Sequence, residues 1–252
     1  MEHPAAGVVD RVGLACFAHR LTSTKTETMF ENEKPIQKDK LHEQVFDRLC
    51  TLLRQGEFTP GEAVPVAVIS KAFGVSAMPV REALTRLLAV GVLTNVSGRS
   101  VGVPKLSKDE LTDLRNVRLK VETTAVAWAV KNRDASFLTD LEKILDRCVQ
   151  AERSGDVRSF IRNNYEFHFR LYRQAGSPVL IDIINTLWLR VSPHLYHLSR
   201  ADHYRVSNVH HQAIIEAVRR GDAEAASDAL VADVSGAYDE LVEALFAAEP
   251  VS

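Results

Sequence analysis

The fold turns on one stretch: Gly74-Val75-Ser76-Ala77-Met78-Pro79-Val80-Arg81-Glu82-Ala83-Leu84-Thr85-Arg86-Leu87-Leu88. Gly-Val-Ser makes a tight turn, and Ser76 is placed to cap the helix that follows. Val80, Leu84, Leu87 and Leu88 recur at helical spacing and face inward, leaving Arg81, Thr85 and Arg86 outward. Gly91 ends this helix. Upstream, Leu41, Val45, Leu49 and Leu52 predict a helix over residues 39–54, and Ile69 and Phe73 a short one over residues 66–73, with a Thr59-Pro60-Gly61 turn between them. Downstream, Ser97-Gly98 reads as a hairpin turn between Val92-Leu93-Thr94 and Val101-Gly102-Val103. Three helices and a hairpin within residues 39–105 make a winged helix-turn-helix, which presents its last helix to the major groove of DNA.

Outward from this unit the periodicity is helical alone. It predicts helices at 107–132, 136–154, 157–175, 178–200, 204–220 and 222–247, with Pro193 kinking the fourth. Short links between them imply an antiparallel bundle over residues 106–248. The fold class is therefore mainly α. Residues 1–38 carry no sustained period and read as a flexible tail, with Met29 an alternative start.

Composition bounds the function. At 252 residues the chain has room for one or two domains, and 46% hydrophobic with 25% charged is the balance of a folded protein. Cys16, Cys50 and Cys148 form no CxxC pair, so neither a disulfide framework nor a cysteine-rich zinc site is expected, and a reducing cytoplasm is. The longest run free of Asp, Glu, Lys and Arg is Leu87–Gly98, 12 residues, too short to span a membrane. The net charge of −2 argues against nucleic acid only as an average. Residues 70–105 hold Lys71, Arg81, Arg86, Arg99 and Lys105 against Glu82, while residues 106–252 are net −4. The basic excess thus coincides with the helix and wing that would face DNA. On that face Ser76, Met78, Arg81 and Arg86, with Gly98 and Arg99 of the wing, form the candidate DNA-binding set. Arginine offers a paired donor fork to guanine O6 and N7, and amides at the helix start can seat a phosphate.

Two catalytic patterns fall away. Gly98-Arg99-Ser100-Val101-Gly102 matches the G-x-S-x-G nucleophile elbow, but that motif needs a helix after the serine and here a strand follows. His42-Glu43-Gln44-Val45-Phe46 lacks the second histidine of a zincin.

The stretch Leu41–Pro104 resembles the DNA-binding domain of GntR-type transcription regulators. It does so through Leu41-x3-Val45, Gly56, Pro60-Gly61, Val64-Pro65, Gly74-Val75-Ser76, Pro79-Val80-Arg81-Glu82-Ala83-Leu84, Leu87 and Gly91. The resemblance implies that Arg81 reads bases or phosphates, that Arg86 touches the DNA backbone and that Gly98 and Arg99 enter the minor groove. Two positions depart from the family pattern: Ala77 stands where Arg is usual, and Ser100 follows Arg99 where Gly is usual. A shifted operator sequence or weaker binding is expected.

Residues from about Leu106 to Leu245 resemble the FCD effector domain of the FadR-like branch. The matching positions are Asp113-Leu114-x3-Arg118-x3-Glu122, Asn164-x2-Phe167-His168 and His211-x2-Ile214-x2-Ala217-Val218-x2-Gly221-Asp222, with Ala226 beyond. Asn164 and His168 share one helix face, and His211 and Asp233 lie on the two later helices, so a bundle core can converge all four. The resemblance implies that Asn164, His168, His211 and Asp233 hold a divalent metal ion of the zinc, nickel or manganese kind, with His194 and His197 as substitutes. It also implies that Arg118 pairs with a small organic acid effector, Glu122 being its partner within the helix. Trp128, Phe137, Phe160, Phe167 and Trp188 read as core. The function expected is a ligand-responsive regulator, a repressor, acting as a homodimer on palindromic double-stranded DNA. A metal-dependent enzyme in the bundle and a ligand-independent DNA-binding protein are the alternatives.

Overall fold

A computed structural model describes residues 39–98, 100–195, 198 and 201–246, with the side chains of residues 39, 40 and 201–203 left aside. The expected tail at 1–38, with Met29 and Cys16, and the positions Arg99, Tyr196 and His197 lie outside the described residues.

Helix α1 (Asp39–Arg54) buries Val45, Leu49, Cys50 and Leu53. Its inward face is rotated from the expected one: Leu41 is 44% exposed and Leu52 half-buried, because Cys50 and Leu53 fill the core positions nearest the next helices. Helix α2 (Val66–Phe73) buries Ile69 and ends at Gly74, whose φ of 66° is the left-handed conformation that glycine adopts without strain. Helix α3 (Ala77–Ala89) turns Pro79, Val80, Ala83, Leu84 and Leu87 into the same core.

The wing differs from its expected boundaries. Strand β1 (Thr94–Ser97) begins where it was expected to end, and β2 is Ser100–Gly102. Val92 and Leu93 are core residues ahead of the hairpin, at most 2% exposed. Thr94 pairs with Gly102, Asn95 with Val101 and Ser97 with Ser100, with a bulge between Asn95 and Ser97. A third extended segment closes the sheet, with Val64 N donating to Val101 O at 2.7 Å and Gly61 N to Val103 O at 2.8 Å. Gly102 is required there, since any Cβ would collide with the Glu62 carbonyl.

The bundle follows as α4 (Lys108–Lys131), α5 (Ala135–Ser154), α6 (Val157–Arg173), α7 (Pro178–Leu195), α8 (Ala201–Arg220) and α9 (Ala223–Phe246). Its starts are set locally. Ser107 and Glu110 form a capping box on α4, and Asp134 accepts from Phe137 N at 2.8 Å on α5. Helix α9 lies against α8 and α4, α5 against α6 and α8, and α4 against α7. Phe137, Leu141, Phe167, Phe169, Tyr172, Ile184 and Ile214 fill the core at 0–1% exposure. Trp128 is the exception among the aromatics expected inside. At 42% exposure it lies on the outer face of α4, because Ala125, Val126, Ala129 and Val130 occupy the inner one. Helix α7 runs through Pro193 to Leu195. No described helix is long and apolar enough to cross a membrane.

Winged helix and bundle are joined by side chains. Leu189 of α7, 3% exposed, sits in the winged-helix core with Leu49, Leu53 and Leu87. Arg54 at the end of α1 donates to Asn185 Oδ1 at 3.3 Å, and Arg158 of α6 pairs with Glu57 at 3.3 Å. Leu189→Ala should therefore lower unfolding free energy by about 2–5 kcal/mol. Urea melts measure this, and an unchanged midpoint would show that Leu189 is not a packed contact.

Candidate functional site

Two surfaces carry the chemistry, and the first is the outer face of α3. Arg81 is exposed and borders a groove lined by Ala63–Val66 on one side and Ser100 and Val101 of the wing on the other. Met78 is 69% exposed on the same face. Ser76 holds the N-cap position in extended backbone, yet its side chain makes no cap hydrogen bond, contrary to the expectation that it would. Ser76 is exposed at a helix start, a position where a phosphate oxygen can be received. Arg86 has an intramolecular seat: its guanidinium lies 3.8 Å from the centre of the Phe46 ring. Glu82 pairs with His42 of α1. Gly98 stands exposed at the hairpin tip with φ of 50°. Ser100 lies in a strand pair with no helix after it, so it is not a nucleophile elbow.

The second surface lies inside the bundle. His168 of α6, His211 of α8 and Asp233 of α9 converge, all at most 7% exposed. His168 Nε2 is 3.1 Å from Asp233 Oδ2 and 3.3 Å from His211 Nε2, and His211 Nε2 is 3.9 Å from Asp233 Oδ2. Ser207, one turn before His211, donates to Asp233 Oδ1 at 2.8 Å. Behind His168 the contacts form a chain. Its Nδ1 is 3.1 Å from the Tyr172 hydroxyl, which donates to Glu122 Oε2 at 2.5 Å. Arg118 grips the same carboxylate with Nε at 2.7 Å and Nη2 at 3.3 Å.

This chain orients the imidazole. With its proton given to Glu122, the Tyr172 oxygen has only a lone pair for His168, so Nδ1 carries a hydrogen. Nε2 then faces His211 Nε2 and Asp233 Oδ2. Two imidazoles with one carboxylate form a donor set suited to a borderline divalent ion. Asn164, one turn before His168, keeps its Oδ1 buried without a hydrogen-bond partner, which is consistent with a fourth donor. Of the expected ligands, His168, His211 and Asp233 meet directly. His194 is buried on α7 outside this trio.

Electrostatics follow from the same contacts. Burial alone would push the Asp233 carboxyl up, but the hydrogen bond from His168, both imidazoles and Ser207 outweigh it and hold the group below the usual carboxylate range. Burial works against the Arg118 charge, and Glu122 more than restores it. Tyr172 is pushed well above the ordinary phenol value by burial and by Glu122 beside it. Cys148 is raised to about 12 by burial and Cys50 to about 11, so both are inert thiols.

A cleft of about 60 Å³, partly open to solvent, reaches this centre. Arg118, Asn164, His168, Ser207 and Asp233 supply its polar wall, and Trp188, Tyr165, Phe160 and Leu195 its apolar one. The Arg118 guanidinium is 4.8 Å from the Trp188 ring centre. Two contributors escaped the sequence reading. Ser207 stands one helical turn from His211, a spacing that could have flagged it. Arg54, also in the lining, comes from the winged helix and left no local signal.

Comparison with known proteins identifies both domains. Residues 41–103 match the family model "Bacterial regulatory proteins, gntR family", and residues 113–235 match the FCD domain. The HTH-type transcriptional regulator McbR of Escherichia coli is 33% identical over 158 residues, covering 63% of this chain and 72% of McbR. The chain belongs to the GntR family. The solved structure of E. coli McbR/YncC matches 81% of this chain and 97% of its own with a TM-score of 0.76 at 28% identity. The transcriptional repressor NanR of Cronobacter sakazakii is 28% identical, covering 81% of this chain and 86% of NanR. This GntR-family chain is a DNA-binding transcription regulator carrying an FCD domain, and not an enzyme.

Removing Glu122 would strand Arg118 in the core, so Glu122→Ala should cost about 3–5 kcal/mol in urea unfolding. A loss below about 1 kcal/mol, the scale of an exposed pair, would contradict the buried chain.

Proposed function

We propose that this regulator is a repressor whose operator affinity is set by a small organic acid bound beside a divalent metal ion in the FCD bundle. The observation that carries the reading is the convergence of His168, His211 and Asp233 next to Arg118 on one open cleft. His168, His211, Asp233 and Asn164 would hold the ion, which when bound supplies an electrophilic seat for a carboxylate. Arg118 is fully committed to Glu122 on one edge while lining the cleft, so an acid would share its charge with that carboxylate. The repressor assignment is supported by the NanR relatives, which are named as repressors. The regulator would work in the cytoplasm, where its operator lies, and as a homodimer, because a two-fold protein matches a two-fold operator. Val117 and Trp128, 42% exposed on one stripe of α4, are apolar surface that a second copy would cover. The acid acts by preferring one arrangement of the helices beside Pro104–Lys108, and the change in operator affinity equals that preference.

Two measurements test this. Protein purified without a histidine tag should carry about one divalent ion per chain, as a three- or four-donor site of this type does. The ion should be lost in the double variant His168→Ala, His211→Ala. Metal-free wild-type protein that still answers to an acid would sink the metal reading. At the other surface, Arg81→Ala should weaken binding to the chain's own upstream DNA by about 1–3 kcal/mol and relax sequence preference at one position. Titrations at several salt concentrations read both effects. Unaltered affinity and preference would remove Arg81 from the interface.

A further inference from the structure

The effector cleft is not built by the FCD domain alone. Arg54, the last residue of α1, belongs to the winged helix and lines the cleft together with Arg118, His168 and Asp233. Its present contacts are with uncharged groups. Asn185 Oδ1 and Thr51 Oγ1 each accept from it at 3.3 Å, and its guanidinium lies 4.9 Å from the Tyr165 ring centre. Among the described residues no carboxylate pairs with it. Arginine is matched most strongly by a carboxylate held on its planar fork, at roughly twice the strength of a neutral contact.

Charge on the cleft wall identifies what would match it. Asp233 is the one acidic side chain in the described lining, and it is already engaged by His168 and Ser207. Arg118 is balanced by Glu122. With a divalent ion at the histidines, Asp233 offsets one of its two charges. The second remains, and Arg54 adds another on the same lining.

We infer that Arg54 is an effector-contacting residue supplied by the DNA-binding domain, and that the effector is a dicarboxylate. One carboxylate sits at the histidine–aspartate centre beside Arg118 and the other on Arg54. The inference rests on the acid-binding reading above and adds the second anchor and its origin. It also gives the ligand a direct hold on the recognition helix. Val45, Leu49 and Leu53 of α1 pack with Leu84 and Leu87 of α3, Arg86 lies on Phe46, and Glu82 pairs with His42. A pull on Arg54 is therefore a pull on the helix pair that meets DNA.

The test uses the full-length, untagged, zinc-loaded protein and calorimetric titration with succinate, glutarate and adipate against butyrate, valerate and hexanoate, matched in carbon number. Wild-type protein should bind at least one dicarboxylate about tenfold or more tightly than its monocarboxylate, the scale of one added charged pair. In Arg54→Gln, whose amide can still donate to Asn185, the two series should bind alike. Arg54→Lys, which keeps the charge without the fork, should retain part of the preference. Dicarboxylate preference undiminished in Arg54→Gln overturns the Arg54 inference and leaves the acid-binding reading standing. Wild-type protein that binds monocarboxylates as well as dicarboxylates does the same. Absence of binding by any acid to the wild-type protein overturns both.

Discussion

A carboxylate with no solvent exposure sits at the centre of the bundle, and the site is arranged around it. Burying a carboxylate without partners for its lone pairs is costly, and Arg118 and Tyr172 take up those of Glu122. Buried pairs of this kind contribute little net stability, because desolvation consumes most of the Coulombic gain. What the pair supplies is orientation. Glu122 holds the Tyr172 hydroxyl, the hydroxyl orients the His168 ring through Nδ1, and His168 then faces His211 and Asp233 with Nε2. Helices α4, α6, α8 and α9 are thereby tied to one geometry at the point where a ligand would enter. An apolar replacement of the pair would keep the bundle packed and leave the imidazole free to rotate.

The same cleft lies at the junction of the two domains. Leu189 contributes to the winged-helix core although it belongs to α7, and its neighbour Trp188 faces Arg118. Asn185, one turn earlier on α7, receives Arg54. Helix α7 thus touches the ligand wall and the DNA-binding domain within a single turn. A ligand that moves α7 by a fraction of an ångström displaces packed atoms on both sides, and close-packed cores transmit such shifts instead of absorbing them. Coupling here needs no long pathway.

How much of this was readable in the chain depends on the range of the interaction. Helix α3 was legible because turn chemistry and period agree: Gly74 takes a positive φ, Ser76 the N-cap, and Val80, Leu84 and Leu87 the core. The first wing strand was placed early by about two residues because Val92 and Leu93 look like strand residues while serving as core plugs. Leu41 and Trp128 were misjudged because an amphipathic helix can rotate its inner face by one position without altering its pattern. In the bundle core, the convergence of His168, His211 and Asp233 was readable from helical spacing joined to a family resemblance. Arg54 was not, since its partners Asn185 and Tyr165 lie more than a hundred residues away and meet it only through tertiary packing.

Charge distribution also takes on a definite meaning once the two surfaces are separated. The chain's net charge of −2 hides a basic α3 and wing beside an acidic bundle. Nonspecific binding to DNA scales with the number of phosphates neutralised, so a protein with few exposed cations on its reading face binds random sequence weakly. The outer face of α3 has Arg81 as its free arginine, since Arg86 rests on Phe46 and Ala77 replaces a usual arginine. Such a face must draw its affinity from specific contacts more than from bulk charge.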